Sequence, residues 1–199
     1  MDKLDVLMVG IGGGGVILGS DITAEVALAA GYDVKKTDTI GMAQRGASVT
    51  SNVRFGSKVW SPIIKQGAAD ILVGFEKLET ARWANYLRPD GVLIINNYAV
   101  PPLSVNTGLE KYPTDEEISE IARMRTERIY FVDAFQRTTK LGDSRMMNIY
   151  LLGCLSVFTP FITLNIWESK IRERLPARVI DINLTAFGLG RKELGHATA

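Results

Sequence analysis

The sequence predicts an α/β protein: three layers around a mostly parallel sheet, with one antiparallel hairpin and a helical C-terminal third. Three observations lead there. Short apolar runs near residues 4–9, 69–75, 92–96 and 129–132 read as buried strands, and helix-period stretches follow several of them. The first run ends directly in Gly10-Ile11-Gly12-Gly13-Gly14-Gly15, after which residues 16–30 read as a helix. From residue 146 onward the pattern is helical, with no further strand signal.

Taken in order, the strand 4–9 is interrupted only by Asp5, and its strand–glycine–helix exit is Rossmann-like. Gly31 stops the first helix and residues 32–37 form a second strand. Residues 38–46 have no clean period and read as a loop. Residues 47–55 alternate apolar and polar, so a half-buried strand follows, with Gly56-Ser57 turning it into a hairpin partner at 58–61. The strand 69–75 leads into a helix at 76–87 with acids in its first turn, and Pro89-Asp90-Gly91 turns the chain into the strand 92–96. Residues 97–113 hold three prolines and read as an extended excursion. Thr114 and Glu117 form a capping box for the next helix. Residues 146–158 are apolar nearly all round, a helix buried on most sides or covered by another subunit. An amphipathic helix at 164–175 and a last one at 179–194, weakened by Gly188 and Gly190, complete the chain.

Composition excludes several function classes. A length of 199 residues suits one domain spanning 1–199, and 46% hydrophobic with 23% charged residues is an ordinary globular balance. A net charge of +1 without a basic block argues against nucleic acid or a membrane surface as partner. The start Met1-Asp2-Lys3-Leu4-Asp5 is no signal peptide, and no apolar run approaches the ~20 residues that span a bilayer, so a cytoplasmic location is expected. Cys154 is the only cysteine, so the chain cannot supply the four thiolates of an iron–sulfur cluster or an internal disulfide. His196, the only histidine, lies three residues from the C-terminus, a poor position for a zinc site or a Ser-His-Asp triad. No metal site and no catalytic residue is assigned to this chain; any redox centre lies elsewhere.

Two segments carry binding chemistry. Gly10, Gly12 and Gly15 fit the G-x-G-x-x-G spacing, in which missing Cβ atoms let backbone N–H groups and a helix N-terminus approach an anion. The plain alternative is a turn that needs small residues only for packing. A dinucleotide would ask for an acid at the end of the second strand; only Asp38 is so placed, beside the basic Lys35 and Lys36. The second segment is Gly41-Met42-Ala43-Gln44-Arg45-Gly46, where a loop arginine between glycines can be presented to an anion or simply be solvated. Both segments follow strands at the carboxyl edge of the sheet, where ligands of such folds bind. Glu76 and Glu79 share a helix face; solvated helix-start acids are the commoner reading of such a pair and acid/base carboxylates the sharper one. Asn148 opens the apolar helix as a cap or faces a partner subunit, and capping is the commoner role.

Several motifs together extend this reading: the glycine turn 10–15, Gly41 to Val49, Val53-Arg54-Phe55-Gly56, Ser61-Pro62, Glu76 with Glu79, Tyr112-Pro113, and Asn148 to Gly153. In this order, over nearly the whole chain, they resemble the gamma-type domain of 2-oxoacid:ferredoxin oxidoreductases, and most of all the beta subunits of the indolepyruvate type. Gly14 stands where that family usually has glutamine, and Ala47 where a second glycine usually follows the arginine. The resemblance implies a pyruvate/ketoisovalerate oxidoreductase gamma-type domain. Its role is to help an alpha subunit oxidatively decarboxylate a 2-oxoacid to an acyl-coenzyme A, with electrons passed to ferredoxin. Thiamine diphosphate, Mg and 4Fe–4S clusters are then expected in the partner, coenzyme A is the co-substrate, and the assembly is a heterodimer or heterotetramer. The ligand-binding set, for phosphate or coenzyme A or oxoacid, is Gly10, Gly12, Gly13, Gly14, Gly15, Gln44, Arg45 and Gly46.

Other readings stay open at this point. The chain can be the gamma subunit of an enzyme using pyruvate, 2-oxoisovalerate or 2-oxoglutarate. It can be a stand-alone nucleotide- or flavin-binding domain relying on the glycine turn and Asp38, or an interaction subunit whose turn is empty.

Overall fold

The structure is a computed structural model that describes residues 3–41 and 46–197. Its centre is a six-stranded sheet formed by β1 (Lys3–Ile11), β2 (Asp33–Ile40), β3 (Ser48–Gly56), β4 (Ala69–Gly74), β5 (Leu87–Asn96) and β6 (Ile129–Val132). Around it lie α1 (Val16–Ala29), α2 (Lys77–Trp83), α3 (Leu103–Asn106), α4 (Asp115–Arg123), α5 (Ala134–Lys140), α6 (Met147–Val157), α7 (Leu164–Arg174) and α8 (Ile180–Ala197).

The strand order is β2-β3-β1-β4-β5-β6. The pairs β1/β4, β4/β5 and β5/β6 are parallel, and β3 alone runs against its neighbours β1 and β2. The mostly parallel, three-layer expectation holds, but the hairpin is a different one. β3 pairs back onto β2, and with β1 on its other edge it has no free edge left for residues 58–61. Those residues run irregularly instead, held by Arg54, whose Nη1 donates to the carbonyls of Ser61 at 2.8 Å and Ile63 at 2.9 Å. The second strand also outruns its expected end at Thr37: ladder pairing with β3 carries it to Ile40.

Alternation along β1 explains the layers. Val6 and Met8 belong to a core shared with α1, α6, α7 and α8, whereas Leu7 and Val9 belong to a second core on the opposite face, closed by Ile64, Ala122 of α4 and the partly buried Trp83 of α2. Asp5 is tolerated inside β1 because it faces Arg54 across the β1/β3 ladder and accepts from its Nε at 2.9 Å.

One helix expectation is corrected. The helix after β4 is one short piece, Lys77–Trp83, continued by a 3-10 turn at Ala84–Tyr86, and Leu87 already belongs to β5. The Pro89-Asp90-Gly91 signal marks an irregularity within that strand's pairing with β4, with Asp90 at φ 60°, rather than a turn before it. The last helix expected at 179–194 is present as α8, which runs through Gly188 and Gly190 and places His196 in its last turn rather than in a trailing end. The reason is packing: a Cβ on Gly190 would lie 2.1 Å from the Tyr150 carbonyl oxygen, and one on Gly153 would lie 2.0 Å from that of Phe187. The two glycines let α6 and α8 cross backbone to backbone, so α8 of this same chain helps to bury the apolar helix.

Candidate functional site

The glycine turn sits at the carboxyl end of β1. Gly10 is still in the strand, where an added Cβ would come within 2.8 Å of Phe75 Cβ and 2.9 Å of Val16. Its glycine serves close packing. Gly13 and Gly15 have φ of 94° and 80°, a region that L side chains seldom occupy, and Gly15 caps α1 in that conformation. A Cβ on Gly15 would also meet Asn148 Nδ2 at 2.7 Å.

Antiparallel pairing of β1 with β3 brings the foot of the 41–46 loop onto this turn. Gly12 N–H donates to Ala47 O at 2.8 Å and Gly46 N–H donates to Gly12 O at 3.3 Å. Gly46 thus joins the glycine cluster directly; Gln44 and Arg45 lie outside the described residues. The same bonds narrow the set of free donors. Gly12 N–H is taken by Ala47, and Gly14 N–H donates to Ile11 O at 3.0 Å. Among the described residues, Gly13 N–H, Gly15 N–H and the first-turn amides of α1 find no acceptor, at the positive end of the helix dipole.

Beside the turn lies a cavity of about 310 Å³ whose described side chains are aliphatic, among them Ile11, Leu18, Ile40 and Val49. Backbone amides supply its polarity. Such a site suits a ligand with an anionic group against the helix end and an apolar portion beyond.

Asp38 does not serve as a ribose-binding acid. It lies within β2, bound by Lys36 Nζ at 2.6 Å and by the Ser51 hydroxyl at 2.7 Å, and Lys36 also pairs with Asp21 at 2.9 Å. Moreover β3 stands between β2 and β1, so the carboxylate is one strand removed from where a dinucleotide fold needs it.

The acids of the 76–79 pair are buried, not solvated: Glu76 is 1% exposed and Glu79 4%. Glu76 caps α2 by accepting from Glu79 N–H at 2.9 Å, and it also accepts from Val100 N–H at 3.1 Å and from the Tyr112 hydroxyl. Burial, then this carboxylate, push the Tyr112 phenol far above its ordinary value of 10.0. Glu76 therefore pins the 97–113 excursion to the rim. Glu79 accepts from the Ser48 hydroxyl at 2.6 Å and from Arg82 at 2.7 Å, which ties the first residue of β3, and so the loop foot, to α2.

Asn148 is not a helix cap. Met146 precedes the first turn of α6, and Asn148 lies within it, 5% exposed and packed against Gly15. The sequence reading missed Asn96 altogether. This residue is fully buried at the end of β5, donates to Phe75 O at 3.1 Å and accepts from Phe135 N–H at 3.4 Å. An asparagine closing an apolar run, Val92-Leu93-Ile94-Ile95-Asn96, was the available signal.

Cys154 is fully buried in α6, its thiol directed at the Gly190 carbonyl 3.4 Å away. Among the described residues no group of three or more His, Cys, Asp or Glu side chains is arranged to hold a metal ion. No helix among them is long and apolar enough to cross a membrane.

Comparison with known proteins identifies the family. The family model described as pyruvate ferredoxin/flavodoxin oxidoreductase matches residues 5–193. Indolepyruvate oxidoreductase subunit IorB of Archaeoglobus fulgidus is 36% identical over 190 residues, covering 94% of each chain. The IorB subunit of Pyrococcus horikoshii is 34% identical over 195 residues, covering 96% of each. Among solved structures, the 2-oxoglutarate:ferredoxin oxidoreductase of Magnetococcus marinus, with 2-oxoglutarate, coenzyme A and succinyl-CoA bound, superposes with a TM-score of 0.73 at 21% identity, over 96% of this chain and 31% of that one. The sheet order, the glycine turn and this near end-to-end likeness place the chain in the pyruvate ferredoxin/flavodoxin oxidoreductase family.

Proposed function

We propose that this chain, as one gamma-type domain over 1–199, is the beta, thiamine-free subunit of an indolepyruvate or arylpyruvate:ferredoxin oxidoreductase. One observation carries the reading: identity of 34–36% to IorB subunits along nearly the full length of both partners. In this reading the enzyme converts a 2-oxoacid to an acyl-coenzyme A, works in the cytoplasm and delivers electrons to ferredoxin.

The donor set of this chain does not fit an iron–sulfur cluster, which takes four thiolates, because its single thiol is enclosed between α6 and α8. An alpha subunit is therefore assigned the thiamine diphosphate, Mg and clusters. Thiamine supplies the electron sink for cleaving the bond beside the keto group. This chain's residues bind and orient. Gly13 and Gly15 amides, with the α1 dipole, receive a phosphate or carboxylate; Arg45 adds a charge-assisted hydrogen bond and Gln44 orients it. The apolar cavity beside them shields the ligand from water.

The experiment is a substrate panel on the two-subunit enzyme, following ferredoxin reduction with coenzyme A present. Indolepyruvate and other arylpyruvates should give a higher kcat/KM than pyruvate, 2-oxoisovalerate or 2-oxoglutarate. Preference for one of those three would reject the aryl assignment and keep the family.

A further inference from the structure

The sheet ends at β2, and the outer edge of that strand is open. The strand order gives β2 one neighbour, β3, over a continuous register from Asp33 to Ile40 that holds no bulge and no proline. None of its eight residues is buried, and residues 38–40 are exposed.

The phase of the ladder decides which backbone groups point outward. Gly41 N–H donates to Ser48 O at 3.0 Å, so 41 and 48 form a hydrogen-bonded pair and, by alternation, the odd-numbered residues of β2 bond to β3. The N–H and C=O groups of Val34, Lys36, Asp38 and Ile40 therefore face away from the sheet. Among the described residues only Lys35 Nζ meets one of them, Val34 O at 3.4 Å. Lysines on an edge ordinarily keep other strands away. Here both are neutralised: Lys35 pairs with Asp33 at 2.9 Å, and Lys36 pairs with Asp38 at 2.6 Å and with Asp21 of α1 at 2.9 Å.

Such an edge is a template for another strand, and the sequence of β2 is complementary to itself. Antiparallel pairing of two copies about a two-fold axis at Thr37 sets Lys36 against Asp38 of the second copy and Val34 against Ile40 of the second copy, on both sides of the axis. All four outward residues then find backbone partners. Moving the axis by one residue sets Lys36 against Lys36, or Asp38 against Asp38, and leaves one outward residue unpaired. Of these registers the Thr37-centred one alone is complementary in charge and full in length. It also places Val34 of the second copy beside Ile40, which is 54% exposed and lines the glycine-turn cavity.

We propose that β2 is a homotypic interface, at which two copies of this chain join edge to edge into one continuous sheet and each borders the ligand cavity of the other.

The test is Thr37→Cys, made in the full chain and in the two-subunit enzyme. Residue 37 faces its own copy as a non-hydrogen-bonded pair, with Cα atoms about 4.5 Å apart and within disulfide reach. Cys154, the only native thiol, is fully buried and does not compete. Mild oxidation should convert Thr37→Cys to a covalent dimer of this chain, whereas Thr39→Cys, which faces Lys35 of the second copy, should stay uncrosslinked. Light scattering should find two copies of the wild-type chain per particle, alone and in the enzyme. Lys36→Asp and Asp38→Lys should each lose the dimer, and mixing the two variants should restore it, because every cross-strand pair is again opposite in charge. Failure of Thr37→Cys to crosslink, in monomers or in dimers held elsewhere, overturns the proposal whether or not the charge variants fold. Equal crosslinking of Thr39→Cys overturns it as well, since that is random collision. A crosslink that forms in the isolated chain and vanishes in the enzyme gives the edge to the companion subunit and also overturns it. None of these readouts depends on which oxoacid the enzyme takes.

Discussion

Ser48 at the start of β3 donates its hydroxyl hydrogen to the buried carboxylate of Glu79 at 2.6 Å, joining a sheet strand to α2 immediately below the 41–46 loop. The bond spans 31 residues of sequence and holds the loop foot against the glycine turn. Ser48→Ala leaves a buried acceptor short of a donor and should cost about 1–3 kcal/mol in chemical denaturation. Glu79→Gln keeps an acceptor for Ser48 and should cost less. A Ser48→Ala midpoint equal to wild type would show that the clamp contributes nothing.

The α6/α8 crossing gives a contrast within one helix. Gly190→Ala drives a methyl to 2.1 Å from the Tyr150 carbonyl oxygen, so the helices must separate, at a cost of about 3 kcal/mol or more. Gly188→Ala, two residues earlier in α8, meets nothing within 4 Å and should stabilise by about 0.5–1 kcal/mol through helix propensity. Thermal midpoints of the two variants should move in opposite directions. Equal shifts would mean that the close crossing is absent in solution.

Cys154 predicts a pH dependence. Burial, and then the Glu193 carboxylate, push its thiol well above the ordinary value of 9.0. The folded chain keeps the proton while the unfolded chain releases it near pH 9, so the unfolded state binds fewer protons there and stability falls as pH rises through 9. The denaturation midpoint should drop between pH 7.5 and 9.5, and Cys154→Ala should flatten that slope. A native chain whose thiol reacts rapidly with a disulfide reagent at pH 8 would contradict the enclosure of Cys154 by α8.

Arg45 carries the binding proposal. Arg45→Ala in the assembled enzyme should raise the KM for coenzyme A or the oxoacid about tenfold or more, the scale of one lost charge-assisted hydrogen bond, with assembly unchanged by gel filtration. Unchanged kinetics would remove Arg45 from the ligand set.

Local rules carried much of the fold. Apolar runs, the glycine exit of β1, the Thr114–Glu117 capping box and the amphipathic pattern of α7 each encode their element within a dozen residues. What escaped depends on contacts distant in sequence. Residues 58–61 read as a strand because no local pattern reveals that β1 and β2 already occupy both edges of β3. Glu76 and Glu79 read as surface acids because their partners Val100, Tyr112 and Ser48 lie 24, 36 and 31 residues away. Gly190 read only as a weak point of the last helix because the contact that requires it, with Tyr150 of α6, lies far upstream. At the site, the glycines were legible as a turn. That two of their amides are used internally, and that Asn148 leans on Gly15, required the antiparallel β1/β3 register and the α6 docking.

The division of labour between subunits is tested most directly by ferredoxin reduction with indolepyruvate and coenzyme A, using this chain alone, the thiamine-binding partner alone, and the two combined. The account predicts turnover only in the combined sample, with no iron or thiamine on this chain when purified by itself. Turnover by this chain alone, or a stoichiometric cluster or thiamine bound to it, would contradict the account.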